Sequence, residues 1–178
     1  MVHCTIFTLV MNWITDFKQN AQLRLEENLP RIELCLNQLS EEEVWQKPVA
    51  AGNSMANLVL HLCGNITQYI LSGVGHQPDN RVRSVEFSTS AGPSKAELLE
   101  QLSRVVHEAS QIIASAGEEN LLTVRSVQGF QLSGMGMIIH AVEHFSYHTG
   151  QIALYTKMLR NTDLGFYKNM NLDITGTE

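Results

Sequence analysis

The chain is short of cysteine, of long apolar runs and of positive charge, and each shortage removes a class of function. Its three cysteines, Cys4, Cys35 and Cys63, are odd in number and carry no CxxC spacing. They make no disulfide framework, and a reducing cytoplasm is the expected setting. No apolar stretch approaches the ~18 residues that a membrane span needs, so no membrane partner is expected. The opening "MVHCTIFTLVMNWITDF" lacks a positive start and a small-residue cleavage site, and Asn12 and Asp16 interrupt it. Residues 1–11 read as a lead-in rather than a signal peptide. Twelve basic against eighteen acidic residues give a net charge of −6. Without a basic stripe, a nucleic-acid backbone is not the expected partner.

What is present is an ordinary globular composition, 178 residues with 44% hydrophobic and 17% charged. That length suits one domain with a substantial core. Four segments of helical periodicity dominate it. The first runs from about Asn12 to Leu39 with Phe17, Leu25, Leu29, Ile32, Leu36 and Leu39 at helical spacing. Pro30 lies inside it and predicts a kink or a break. The second, "NSMANLVLHLCGNITQYILSG", has Ser54 as N-cap and Gly73 as stop, and is apolar nearly all round. The third opens on "PSKAE", where Ser94 and Glu97 form a capping-box pattern, and ends near Gly117. The fourth runs from Ser133 to about Arg160. The stretch 74–92 reads as a long loop, a length often associated with function. "EENLLTVRSVQGFQ" has room for a short extended piece. The expected architecture is all-α, a four-helix bundle over 12–160 with a tail at 161–178.

The chemistry lies in "HAVEHFSYHTGQ". On a helix, residues four apart lie about 40° apart around the axis and roughly 6 Å along it. His144 and His148 can therefore aim at one point, the geometry behind HxxxH metal pairs. His140 extends the line, but it stands about 12 Å from His148 along the axis, so all three cannot easily share one ion. Spacing alone leaves His140 with His144 as an alternative pair. A third ligand must come from another helix, and His61, in "NLVLHLCGN", is the candidate. A histidine amid leucines is ordinarily a core residue. The HxxxH pair elsewhere raises its weight, as do Asn57 and Asn65, one turn either side along its own stripe. Gln151 shares the face of the pair. Cys63 points about 200° away from His61 and reads as a small buried hydrophobe. Glu143 sits about 100° around the helix from His144, a weak candidate for a general base. His107 falls on a solvated face, and His3 and His76 in irregular segments.

Three imidazoles suit Zn²⁺, Ni²⁺, Co²⁺ or Fe²⁺. Three protein ligands with an open position is the arrangement of a catalytic zinc, which supplies an activated water or a bound thiolate.

The combination of "NSMANLVLHLCGNITQYILSGVG", "RVRSVEF" and "HAVEHFSYHTGQIALYTKML" resembles the DinB-like, YfiT-like family of small metal-binding four-helix proteins. The likeness extends from about Trp13 to Leu159. It implies a metal triad of His61, His144 and His148, a bundle of up-down-down-up type, and homodimers. It also implies two activities among its members, transfer of a low-molecular-weight thiol such as bacillithiol or mycothiol, and hydrolysis. Arg81, Arg83 and Glu86 in the loop are the residues expected to meet an anionic thiol cofactor. The expectation is a divalent-metal enzyme, with Zn²⁺ or Ni²⁺ as the ion and a small molecule as substrate. The other reading is a non-catalytic metal- or ligand-binding dimeric module.

Overall fold

The computed structural model describes residues 12–176, so the 1–11 lead-in, with His3 and Cys4, lies outside the described residues. Four long helices form the frame: α1 (Trp13–Asn37), α3 (Met55–Ile66), α5 (Lys95–Ser115) and α7 (Gly134–Arg160). Short pieces fill the connections: α2 (Glu41–Trp45), α4 (Arg83–Ser88), α6 (Glu118–Leu122) and a hairpin of β1 (Val124–Val127) and β2 (Phe130–Ser133). The molecule is a helical bundle with one small hairpin. Among the described residues no helix is long and apolar enough to cross a membrane.

Local chemistry sets the helix starts. Ser94 and Glu97 form the expected capping box on α5. Ser54 caps α3, and Asn57 takes the reciprocal part usually given to Glu or Gln. α1 packs against α5 and α7, and α3 packs against the same two, so each helix buries an apolar stripe on two neighbours. Leu25, Ile32, Leu36, Leu62, Ile66, Leu102, Ile113, Ile138, Phe145 and Ile152 are fully buried between them. Each such side chain contributes about 1.5–3 kcal/mol relative to exposure.

Two expectations are corrected and a third is extended. α1 is unbroken through Pro30. Pro30 and Glu26, whose carbonyl loses its partner, both lie on the solvent side, where that carbonyl is within reach of water. Meanwhile Leu25, Ile32, Cys35 and Leu36 are buried on either side of it and hold both halves on one packed face. The 74–92 stretch is not all irregular, because it contains α4, which packs on α3. The extended piece expected within 118–133 is present, in a more regular segment than expected. It holds α6 and then an antiparallel pair in which Val124 faces Ser133 and Val127 faces Phe130. Its turn residues Gln128 and Gly129 have φ 51° and 83°, the two positive values of a twisted two-residue hairpin.

α3 does not stop at Ile66. It continues as a π-helical turn over Thr67–Ser72, with Gly73 N–H reaching Gln68 O at 3.0 Å and Gly75 N–H reaching Ile70 O at 2.8 Å. Such wide turns are rare and concentrate at functional sites.

Candidate metal centre

α3 and α7 pack side by side, and their polar positions meet inside an otherwise apolar contact. His61 is buried, His148 nearly so, and His144 half-buried. The Nε2 atoms of His61 and His144 lie 2.7 Å apart, and those of His144 and His148 lie 3.1 Å apart. One nitrogen from each ring falls within 4.8 Å of the other two. The outer nitrogens of two rings are tied down. His61 Nδ1–H donates to Glu86 Oε2 at 2.7 Å, and His148 Nδ1–H donates to Gln151 Oε1 at 2.7 Å. Both rings therefore turn a lone pair inward, as ligating histidines do.

Charge follows the same design. Burial, and then the neighbouring imidazoles of His148, His61 and His140, push His144 down to about 3. Burial also lowers His148, against the opposing hydrogen bond to Gln151. With the lone pairs of His61 and His148 both turned on His144 Nε2, a single N–H there would serve only one of them, so the three rings cannot satisfy one another. The donor set suits a cation of borderline softness. His61, His144 and His148 thus form a group that could hold a metal ion.

Glu86 is the residue that sequence reasoning placed in a substrate loop and the structure places against His61. It is the only buried residue of α4. Burial opposes its ionisation, yet the hydrogen bonds from His61 and Arg81, with the charge of Arg81, hold the carboxyl below its ordinary value. Arg81 donates from Nε to Glu86 Oε1 at 2.7 Å and from Nη2 to Oε2 at 3.0 Å. Its Nη1 donates to Gln68 Oε1 at 2.9 Å. Its guanidinium is thereby committed inside the protein rather than presented to an anionic ligand. Arg83 is exposed, with its guanidinium 4.8 Å from the centre of the Phe87 ring, which in turn lies 4.7 Å from the His61 ring. Gly64 makes this arrangement possible. A Cβ there would fall 2.0 Å from Glu86 Oε1 and 2.9 Å from Arg81 Nε. The signal in the sequence was a glycine one turn after His61 on an apolar helix, and it points to close approach only once its neighbour is known.

The remaining candidates sort by position. Asn57 serves the chain rather than the pocket. It accepts from Ser54 and donates to the carbonyls of Glu86 and Thr89 at 2.8 and 2.7 Å, tying α4 to the start of α3. Asn65 reaches His140, with Nδ2–H donating to Nε2 at 3.3 Å. Glu143 is exposed and lines, with His140 and His144, a cleft of about 690 Å³ between α1 and α7. His107 pairs with Gln111 on the surface, and His76 is exposed with φ 57°. Cys63 lies buried facing away from the cluster, and burial pushes its thiol up to about 12.

Solved structures share this architecture. A conserved protein from Enterococcus faecalis superposes with a TM-score of 0.69 at 17% identity, over 81% of this chain and 97% of its own. The DinB-like protein YjoA of Bacillus subtilis gives 0.61 at 16%, covering 81% and 94%. A DinB-like protein from Bacillus cereus gives 0.64 at 15%, covering 83% and 93%. The fold is thus DinB-like. Comparison with curated proteins gives no match. Residues 12–170 match the model of a family described as protein of unknown function, DUF1572, and the chain belongs to that family.

Proposed function

We propose that the protein is a divalent-metal enzyme, with His61, His144 and His148 as ligands and Zn²⁺ or Ni²⁺ as the ion. One observation carries this reading. Three inward Nε2 atoms converge, and the outer nitrogens of two of the rings are fixed by Glu86 and Gln151. When bound, such an ion supplies a Lewis acid that makes a water or a low-molecular-weight thiol nucleophilic at neutral pH. The chain does the rest. Glu86, held by Arg81, orients His61 and raises its basicity as a ligand. Gln151 does the same for His148. His144 opens on the α1–α7 cleft, which is large enough for a small-molecule substrate. Two carboxylates line that cleft; Glu27 is paired with Arg24 and Arg31, which leaves Glu143 as the group placed to accept a proton from an entering water or thiol. With Arg81 turned inward, an anionic thiol would meet Arg24, on the cleft wall, in its place.

The same proposal takes the protein as a cytoplasmic homodimer. Leu154 and Met158, 61% and 71% exposed along α7, support an apolar contact with a second copy, and the buried free thiols Cys35 and Cys63 suit a reducing compartment.

Metal analysis of protein purified without chelator or affinity tag tests the site. The expected result is about one divalent ion per chain, largely lost in His61→Ala, His144→Ala and His148→Ala and retained in His107→Ala. A metal-free wild type, or loss on His140→Ala but not on His148→Ala, overturns the ligand assignment. Turnover of a reactive electrophile, with and without added thiol, then separates transferase from hydrolase. Absence of both reactions leaves the non-catalytic module.

A further inference from the structure

His140 stands one helical turn before His144 and is not part of the converging group. Its ring is clamped on both sides. Tyr69 stacks on it at 4.0 Å between centroids and 22° between planes, and His144 at 5.4 Å and 14°. Tyr69 is fully buried, stands in the π-helical turn, and is pinned at its far end by a hydrogen bond from its hydroxyl to Gln128 Oε1 at 2.9 Å. The ring edge is set as firmly as the faces. Asn65 Nδ2–H donates to Nε2, so the imidazole carries its hydrogen on Nδ1. Asn65 is only 2% exposed, and its Oδ1 is the one buried side-chain polar atom without a partner among the described residues. An orphaned buried acceptor costs about 1–3 kcal/mol. The fold bears that cost at the atom bonded to the group that orients His140, a pattern that calls for a functional reason.

Nδ1 of His140 has no hydrogen-bond partner among the described residues and is not among the buried orphans. His140 lines the cleft that His144 enters, and its Nδ1–H is neither paired nor enclosed, which leaves it available to a ligand there. We infer that His140 is a fixed hydrogen-bond donor of the substrate pocket, and that the substrate presents to it a carbonyl or anionic oxygen next to the reacting centre. This rests on the metal reading above and names the substrate class, oxygen-bearing acyl compounds, for the same site. The role is that of an oxyanion-hole donor: an N–H held in place before the oxygen arrives. It does not depend on the charge of the ring, because a charged ring also carries hydrogen on Nδ1. Asn65 and Tyr69 act through His140 and are positioning residues.

The test uses full-length protein loaded with Co²⁺, whose visible spectrum reports what enters the coordination sphere. Two probes are titrated: acetohydroxamate, which carries a carbonyl oxygen, and 2-mercaptoethanol, which carries none. His140→Phe keeps the stacking plate and removes the donor, and His140→Gln restores an N–H. Expected are unchanged Co²⁺ stoichiometry, about tenfold weaker acetohydroxamate binding in His140→Phe, partial recovery in His140→Gln, and equal thiol affinity in all three. Equal hydroxamate affinity in wild type and His140→Phe overturns the inference and leaves the metal site standing. So does parallel weakening of both probes. A wild type that takes up no Co²⁺ overturns the metal reading itself, and the inference with it. If His140→Phe does not fold by circular dichroism, wild type against His140→Gln and Asn65→Leu decides. Hydroxamate weakened in Asn65→Leu, with His140→Gln at or between it and wild type and thiol affinity unchanged, sustains the inference, and no difference among the three overturns it.

Discussion

At the scale of single residues, the site depends on a position that carries no functional group. Gly64 leaves room for the Glu86 carboxylate and the Arg81 guanidinium against α3. Gly64→Ala would drive a methyl into the Glu86 carboxylate, whose two oxygens together accept three hydrogen bonds and are not the loose end of a chain. The expected outcome is displacement of Glu86 from His61. Metal affinity should fall about 10–100-fold, as for other lost partners of ligating histidines. Overpacking should lower stability by about 1–3 kcal/mol. Metal titration and thermal melts check both, and a variant with unchanged metal affinity would show that Glu86 does not orient His61. The spacing of His144 and His148 was legible because a helix repeats every 3.6 residues, and His61 was legible because polar neighbours flanked it on one stripe. Glu86 as their partner was not. It lies 25 positions from His61, and nothing local distinguishes a buried carboxylate from a solvated one. Asn57 shows the converse. Its place on the His61 stripe suggested pocket lining, yet an N3 side chain near a serine cap is drawn to the helix start.

At the scale of elements, α1 is the informative case. A proline inside a helix removes a hydrogen bond and crowds the carbonyl four residues back, for about 3 kcal/mol. Periodicity continued through it, and tertiary packing on α5 and α7 carried the helix past the local penalty. Pro30→Ala should therefore raise stability by about 2 kcal/mol. That is the lost penalty less the roughly 0.4–1 kcal/mol that proline contributes by restricting the unfolded chain. A urea midpoint that moves down instead would show that the ring itself packs usefully. The long helices were readable because each carries several turns of regular apolar spacing. α4 and the hairpin were not. α4 spans only Arg83–Ser88 and buries one residue, a charged one. The hairpin strands have four residues each, with mostly exposed side chains, too short for alternation to be distinctive. What places them is contact with helices already formed.

At the scale of the whole molecule, one ion pair ties the end of α7 to the start of the bundle. The Arg160 guanidinium bonds to Glu43 in α2 and donates from Nε to Gln38 O at 2.7 Å. The Arg160 hydrogen bond, and then the Ser40 backbone N–H, lower the Glu43 carboxyl from its usual 4.5 to about 2. A carboxyl lowered by folding stabilises the native state above its unfolded value and loses that contribution as pH falls through the native one. Wild type should therefore melt above Glu43→Gln at pH 6, and the gap should close as pH falls from about 4.5 to about 2. A gap that stays constant across this range would mean that the pair adds nothing through charge. Both groups are partly exposed, so added salt should narrow the gap at pH 6 as well.

The histidine cluster draws its members from residue 61 and from residues 144 and 148, so it has no counterpart in a growing chain that has not yet reached α7. A polypeptide still leaving the ribosome presents His61 without the other two imidazoles until α7 has emerged and docked. Assembly of the cluster therefore waits for α7. The same docking that buries the apolar stripe of α7 brings the imidazoles together, so whatever the cluster captures arrives at a fold that is already packed.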